Sequence, residues 1–152
     1  MLIQRINRTD AEKIFAAVYN SWSTAAITKG QGVQWDFGTD KDGIGVSRPT
    51  ARATNAGMAS AGVVASVSIA SGAYGIVQVY GYHSAVRART LTGGAPAIVA
   101  GRPLIMNVAG SLFCLESMST SSITPLAFPC AFAFGATAGF TTASIAAFVK
   151  AL

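Results

Sequence analysis

The stretch YGIVQVYGYHSAVRARTL, residues 74–91, decides how this chain is read. It follows a Ser71-Gly72 break and reads as a strand, with a kink expected at Gly81. It also holds the chain's one histidine, His83, with Arg87, Arg89, Tyr74, Tyr80 and Tyr82 nearby, so an active site or a binding face would be sought here. Side chains alternate between the two faces of a regular strand. Tyr80 and Tyr82 therefore have the opposite parity to Arg87 and Arg89, unless Gly81 introduces a bulge. The tyrosines are expected in core or interface. His83, Arg87 and Arg89 are expected on one solvent- or partner-facing side.

Upstream, GQGVQWDFGTDKDGIGVSRP (residues 30–49) reads as strand, polar turn, strand. Val33, Trp35 and Phe37 are placed on one face, Asp40, Asp42 and Gly43 at the tip, and Ile44 and Val46 on the return. Downstream, RPLIMNVAGSLFCLES (102–117) reads as a hairpin turning near Val108-Ala109-Gly110, and residues 128–152 as another. Cys130, Phe132 and Phe134 alternate there with Ala131 and Ala133. The final TTASIAAFVKAL (141–152) would suit a helix by its alanines and a strand by its alternation; its short length and neighbours favour the strand. Alanine is a poor strand former, and its abundance points to a narrow core or to faces lying flat against a neighbour. Many short strands separated by glycine indicate an all-β barrel or sandwich.

Only residues 9–22, TDAEKIFAAVYNSW, read as helix. Thr9 and Glu12 form a capping box, and Asp10 suits the helix dipole. Ile14, Phe15, Val18, Tyr19 and Trp22 then fall, with Ala11, on one apolar face. The expected organisation is mainly β: an N-terminal amphipathic helical arm, 1–26, and a single small β-barrel or β-sandwich domain, 27–152. No internal repeat is found.

A chain of 152 residues suits one domain with a real core. Charged residues make up 11% of it, against roughly 25% in an average soluble domain. So little charge suggests that other protein covers much of the surface. The most apolar region, 126–149, is broken by Pro129, Gly135 and Gly139 and alternates like strands, so no membrane partner is expected. The first fifteen residues do not resemble a secretory signal, and synthesis in a cytoplasm is expected. In that compartment Cys114 and Cys130 read as buried thiols. The net charge of +5 comes from scattered basic residues. Scatter of this kind argues against direct nucleic-acid binding and allows an acidic protein partner.

Signs of chemistry are few. His83 has neither a carboxylate nor a nucleophile close in sequence, as a general base would require. DFGTDKDG (36–43) lacks the spacing and the glutamate of a calcium loop and reads as a hairpin tip. Glu116 is the only carboxylate after Asp42. An enzyme is not expected, and neither a cofactor nor a metal.

ITKGQGVQWDF (27–37), GIGVSRPT (43–50), AGVVASVSIASGAYGIVQVYG (61–81) and APAIVAGRPLIM (95–106) form an ordered series. It contains Gly-x-x-Val entering a strand, Ala-Gly-Val-Val, a Ser-Gly-x-x-Gly turn, Val-x-Val-x-Gly and Ala-Gly-x-Pro-Leu. Over roughly residues 27–115 this resembles the small β-rich decoration, or cement, proteins of tailed-bacteriophage heads. The resemblance implies a virion structural protein that binds the major capsid protein on the outer capsid surface and stabilises the head, as a homo-oligomer, dimer or trimer. Another virion component, such as a minor capsid, tail or fibre protein, and a small ligand-binding β-barrel are the alternatives. On the decoration reading, Arg87 and Arg89 are candidates for docking on an acidic shell. Ile14, Phe15, Val18, Tyr19 and Trp22 would either close the chain's own core or pack on a neighbour.

Overall fold

A computed structural model describes residues 12–40, 42–49, 60–65, 67–89, 97–109, 112–117, 129–137 and 142–151, with backbone alone for 107–109 and 112–117. These residues form nine strands: β1 (Ile14–Asn20), β2 (Gly32–Trp35), β3 (Gly45–Ser47), β4 (Ser60–Val64), β5 (Tyr74–Arg89), β6 (Pro103–Ala109), β7 (Leu112–Ser117), β8 (Ala131–Ala133) and β9 (Ala143–Lys150). No helix occurs among the described residues.

The expected N-terminal helix is corrected at residues 14–20, which are strand β1. One edge of β1 pairs antiparallel with β5 and the other pairs parallel with β3 at Tyr19 and Asn20. Pairing along β5, joined at Tyr19 and Asn20 by β3, satisfies backbone groups that a helix would have satisfied internally, and this outweighs the helical spacing. The apolar stripe is thereby split. Val18 and Asn20 are buried, whereas Ile14 and Phe15 are exposed. Thr9 of the capping box and Asp10 lie outside the described residues; Glu12, the other member of the box, is in irregular backbone.

β5 organises everything else. Its first half pairs with β4 and β1, its second half with β9 and β7. Two closed cycles of pairing result, β1-β3-β2-β4-β5 and β5-β7-β6-β8-β9, each returning to its first strand. Their order is the same when each is counted from its first strand: first, third, second, fourth, fifth. In both, the first and third strands are parallel and all other neighbours antiparallel. β5 is the last strand of one unit and the first of the other.

The repetition extends to details. Isolated bridges join Ile27 to Ile69 in the first unit and Ile98 to Thr137 in the second. Gly30 donates to the Val64 carbonyl and Gly101 to that of Ala133, in turns with φ of +79° and +83°. Ile27-x-x-Gly30-x-x-Val33 and Ile98-x-x-Gly101-x-x-Leu104 are the matching sequences. The chain thus contains a repeated structural unit where the sequence reading found none.

Each unit has its own core. Val18, Ile27, Val33, Val46, Ala61, Val64, Ile69, Val77 and Val79 fill the first. Val86, Ala88, Ile98, Leu104, Met106, Cys130, Ala131, Ala133, Ile145, Ala147 and Val149 fill the second, joined by Val63 from β4 of the first unit. A ring of five strands is narrow, and its inward positions take valine and alanine. Ala61, Ala88, Ala131, Ala133 and Ala147 are the alanines placed there. Cys130 is a free, buried thiol, and burial pushes its pKa up to about 12. The side chain of Cys114 lies outside the described residues.

The β6–β7 and β8–β9 pairs are antiparallel as expected, and the C-terminal segment is a strand. Asp36–Asp40 and Asp42 lie in the turn between β2 and β3. There Asp36 accepts from Thr39 N–H (3.2 Å) and Ser21 Oγ (2.7 Å), and Asp40 accepts from Asp42 N–H (3.0 Å). Phe37 sits in that turn and is exposed, so it does not share the face of Val33.

Candidate binding face on strand β5

The register of β5 against β9 decides where its side chains go. Tyr80 lies opposite Lys150, Tyr82 opposite Phe148 and His83 opposite Ala147. The register then slips, and Val86 lies opposite Ile145, Arg87 opposite Ser144. Ser84 and Ala85 together face the single residue Ala146. This bulge shifts the parity by one. Ser144, Phe148 and Lys150 are on one face of β9, so Tyr80, Tyr82 and Arg87 share one face of β5. The expected separation of tyrosines from arginines is therefore corrected, and so is the expected company of His83. The bulge is at Ser84–Ala85, not at Gly81. His83 lies on the inner face with Val86 and Ala88, and is buried.

The histidine itself holds the bulge. Its Nε2 is 3.2 Å from the Val64 carbonyl, which can only accept, so Nε2 carries the proton. Its Nδ1 accepts from Ala85 N–H at 3.1 Å, within the bulge. Both ring nitrogens are used in the neutral form. Desolvation by burial lowers the His83 pKa, opposed by the Val64 bond and assisted by the positive charges of Lys29 and Lys13.

Bulky aromatic residues are on the outside. Phe132 and Phe148 are paired across β8 and β9, and Phe148 faces Tyr82 on β5. Tyr80 meets the Phe148 ring edge-on at 5.0 Å, and Tyr82 stacks on Phe134 at 6.0 Å. Tyr82 is 38% exposed and Phe134 53%. The row is continuous across three strands and is flanked by Lys150 and Arg87. A hollow of about 220 Å³ adjoins Arg87, lined also by Thr142, Ala143 and Ser144. Arg89 is half-buried; its buried Nε has no hydrogen-bond partner among the described residues.

The residues expected on the helix are dispersed. Phe15 is exposed on β1, Tyr19 packs on Tyr74 outside the sheet at 5.3 Å, and Val18 is core. Trp22, half-buried, lies under the Arg48 guanidinium at 4.7 Å. The sequence reading missed Tyr80, Tyr82, Phe134 and Phe148 as one surface. The alternation of phenylalanine with alanine in 130–134 was the available signal, but it does not say which set points inward.

Among the described residues no three histidine, cysteine or carboxylate side chains come together as metal ligands would, and no helix is long and apolar enough to cross a membrane. No family model matches the chain, and neither a curated protein nor a solved structure matches it.

Proposed function

We propose that this chain is a structural protein that coats a larger protein assembly, and specifically a decoration protein on the outer surface of a tailed-phage capsid. Its two units are read as narrow β-barrels fused along β5. The observation that carries the reading is the inverted distribution of bulk: alanine and valine inside, with Tyr80, Tyr82, Phe132, Phe134 and Phe148 in a row outside. Exposed contiguous aromatic surface rimmed by polar groups marks interaction sites, and tyrosine and phenylalanine are enriched in protein interfaces. The low charge of the chain and its sequence resemblance point the same way. The partner is the major capsid protein, and a dimer or trimer of this chain on the shell would cover the remaining apolar surface.

The test is co-sedimentation of the purified protein with empty capsids, comparing wild type with a Tyr82→Ser/Arg87→Glu double variant. Charge reversal at an interface costs several kcal/mol, so the variant should stay in the supernatant while remaining folded, with stability lowered only by the lost stacking of Tyr82 on Phe134. A wild-type protein that ignores capsids sinks this reading.

One observation favours a second reading. Arginine and tyrosine on the same face of a strand are the ingredients of a single-strand nucleic-acid platform, and the Ser84–Ala85 bulge brings them together. Salt-sensitive binding of an oligothymidine that is lost in the same double variant would select it.

A further inference from the structure

Beside the aromatic row is a smaller hollow of about 110 Å³, lined by Lys13, Phe15, Lys29, Ala65, Gln78, Tyr82, His83 and Ser84. We infer that this hollow is a carboxylate-binding site that takes an aspartate or glutamate side chain from the protein to which this chain attaches. The inference rests on the reading of the chain as a coat for another protein, and names the chemistry of one contact.

Backbone irregularities on three segments build the site. Gly81 has φ of +102°, and a Cβ there would run into the carbonyl of Glu12. This close approach lays the backbone just before β1 against β5 and sets Lys13 on one side of His83. Gly30 has φ of +79°, and a Cβ there would run into the carbonyl of Ala85 in the bulge; the Gly30 carbonyl also accepts from Arg87 N–H at 2.8 Å. This second approach sets Lys29 on the other side. The register shift between Ile14 and Phe15 then turns Phe15 toward the rim. Bulges commonly re-aim side chains where a strand serves a site.

Among the described residues the charge in the hollow is of one sign. Both lysines lie close enough to bear on the titration of His83, and none of the described residues that line the space is a carboxylate. His83, held neutral by its two internal hydrogen bonds, adds no charge of its own. Phe15, 50% exposed, and Tyr82 supply apolar walls that would shelter the methylenes of an entering acidic side chain. Among the described residues the second unit has no such site at the matching turn: where the first reads Ile27-Thr28-Lys29-Gly30, it reads Ile98-Val99-Ala100-Gly101, and a Cβ on Gly101 would meet none of the described residues. The cation therefore belongs to the one turn that docks on the β5 bulge.

Size and charge favour a carboxylate over a nucleotide. The hollow is well below the ~300–1,000 Å³ of ordinary small-molecule pockets and suits one short side chain. It offers two point charges and no continuous basic track of the kind that follows a phosphate backbone.

The experiment uses the full chain and a hexaglutamate peptide, followed by amide chemical shifts, with an oligothymidine of similar length as the competing probe. Hexaglutamate should shift residues 13, 15, 29 and 82–84 first, and added salt should weaken it. The Lys13→Gln/Lys29→Gln double variant, both of whose sites are exposed, should keep its fold and lose about tenfold in affinity. Failure of the wild type to bind hexaglutamate, equal binding by the double variant, or tighter binding of the oligothymidine at the same residues overturns the inference. Undiminished capsid attachment by the double variant overturns it too, while leaving the coat reading intact. Hexaglutamate binding at the two lysines in a wild-type protein that ignores capsids supports the site and sinks only the coat reading.

Discussion

The two units share one pairing scheme and hold it in different ways. In the first, eight of the nine core residues are valine or isoleucine, and buried polar side chains pin the turns. Asn20 donates to the carbonyls of Ile69 (2.9 Å) and Ala25 (3.3 Å) and accepts from Trp22 N–H (3.0 Å). Gln31 accepts from Thr28 N–H and Gln78 donates to the Tyr80 and Tyr82 carbonyls, while His83, on the second half of β5, ties Val64 of the first unit to the bulge at Ala85. In the second unit, alanine recurs at Ala88, Ala131, Ala133 and Ala147, and the larger Leu104 and Met106 of β6 pack in the same core. The difference teaches that strand order is set by which edges can pair. What fills the ring, branched residues with polar pins or small residues against large ones, is free to vary so long as the volume is right.

Four outcomes would break or sharpen that contrast. The largest is expected for Asn20→Ala, which removes three hydrogen bonds made by one fully buried side chain, although the Ile69 carbonyl keeps the Ile27 N–H. Each such bond is worth about 1 kcal/mol net, so the loss should reach about 3 kcal/mol in denaturant unfolding. A loss within error would show that the polar pins are ornamental. Next comes a swap at equivalent positions. Val64→Ala should leave a cavity costing about 2 kcal/mol, and Ala133→Val should overfill the second core by about 1–2 kcal/mol. If either variant is as stable as the parent, the two cores do not differ in the way their contents suggest.

A smaller effect is expected from pH. The folded-state pKa of His83 lies below its ordinary 6.5, chiefly because burial disfavours the charged ring. Above 6.5 its contribution to stability is complete. As pH falls from 6.5 toward the lowered folded value, the unfolded chain takes up a proton that the folded chain refuses, and stability is lost. Comparing unfolding across this window in wild type and His83→Gln isolates the term, since the variant should lack that part of the slope. Parallel curves would mean that the ring titrates as freely folded as unfolded. The smallest effect is expected for Phe134→Ser. The residue is more than half exposed, and its loss should cost about 0.5–1 kcal/mol through the stacking on Tyr82. A much larger cost would mean that the outer aromatic row belongs to the fold and not to a partner.

Much of the strand framework is legible in the sequence. The break at Ser71-Gly72, the acidic turn between β2 and β3, the hairpin after Arg102 and the C-terminal strand each carry local chemistry: glycine, aspartate or alternation of period two. β1 is not legible. Inside a narrow ring its inward positions take Ala16, Val18 and Asn20, while Phe15 and Tyr19 point out, so hydrophobicity and burial run in opposite senses. The repeat is hidden for a related reason. Apart from the Ile-x-x-Gly turn, pairing order can be kept between the units without keeping side chains, because the hydrogen bonds are made by the backbone.

The amino-acid sequence by itself determined a β-rich chain with a small-residue interior, little charge and no assembled catalytic signature. Those properties follow from composition and from local turn chemistry, which act over a few residues. Only the tertiary structure decided that residues 14–20 are a strand, that β5 serves two units, and that Tyr82 and Arg87 share a face with Phe148. The physical reason is that each depends on long-range register. One extra residue at Ser84–Ala85, stabilised by the adjacent His83 and by the turn at Gly30, inverts every side chain beyond it, and the Gly30 turn and the Val64 carbonyl that fix it are far from the bulge in sequence.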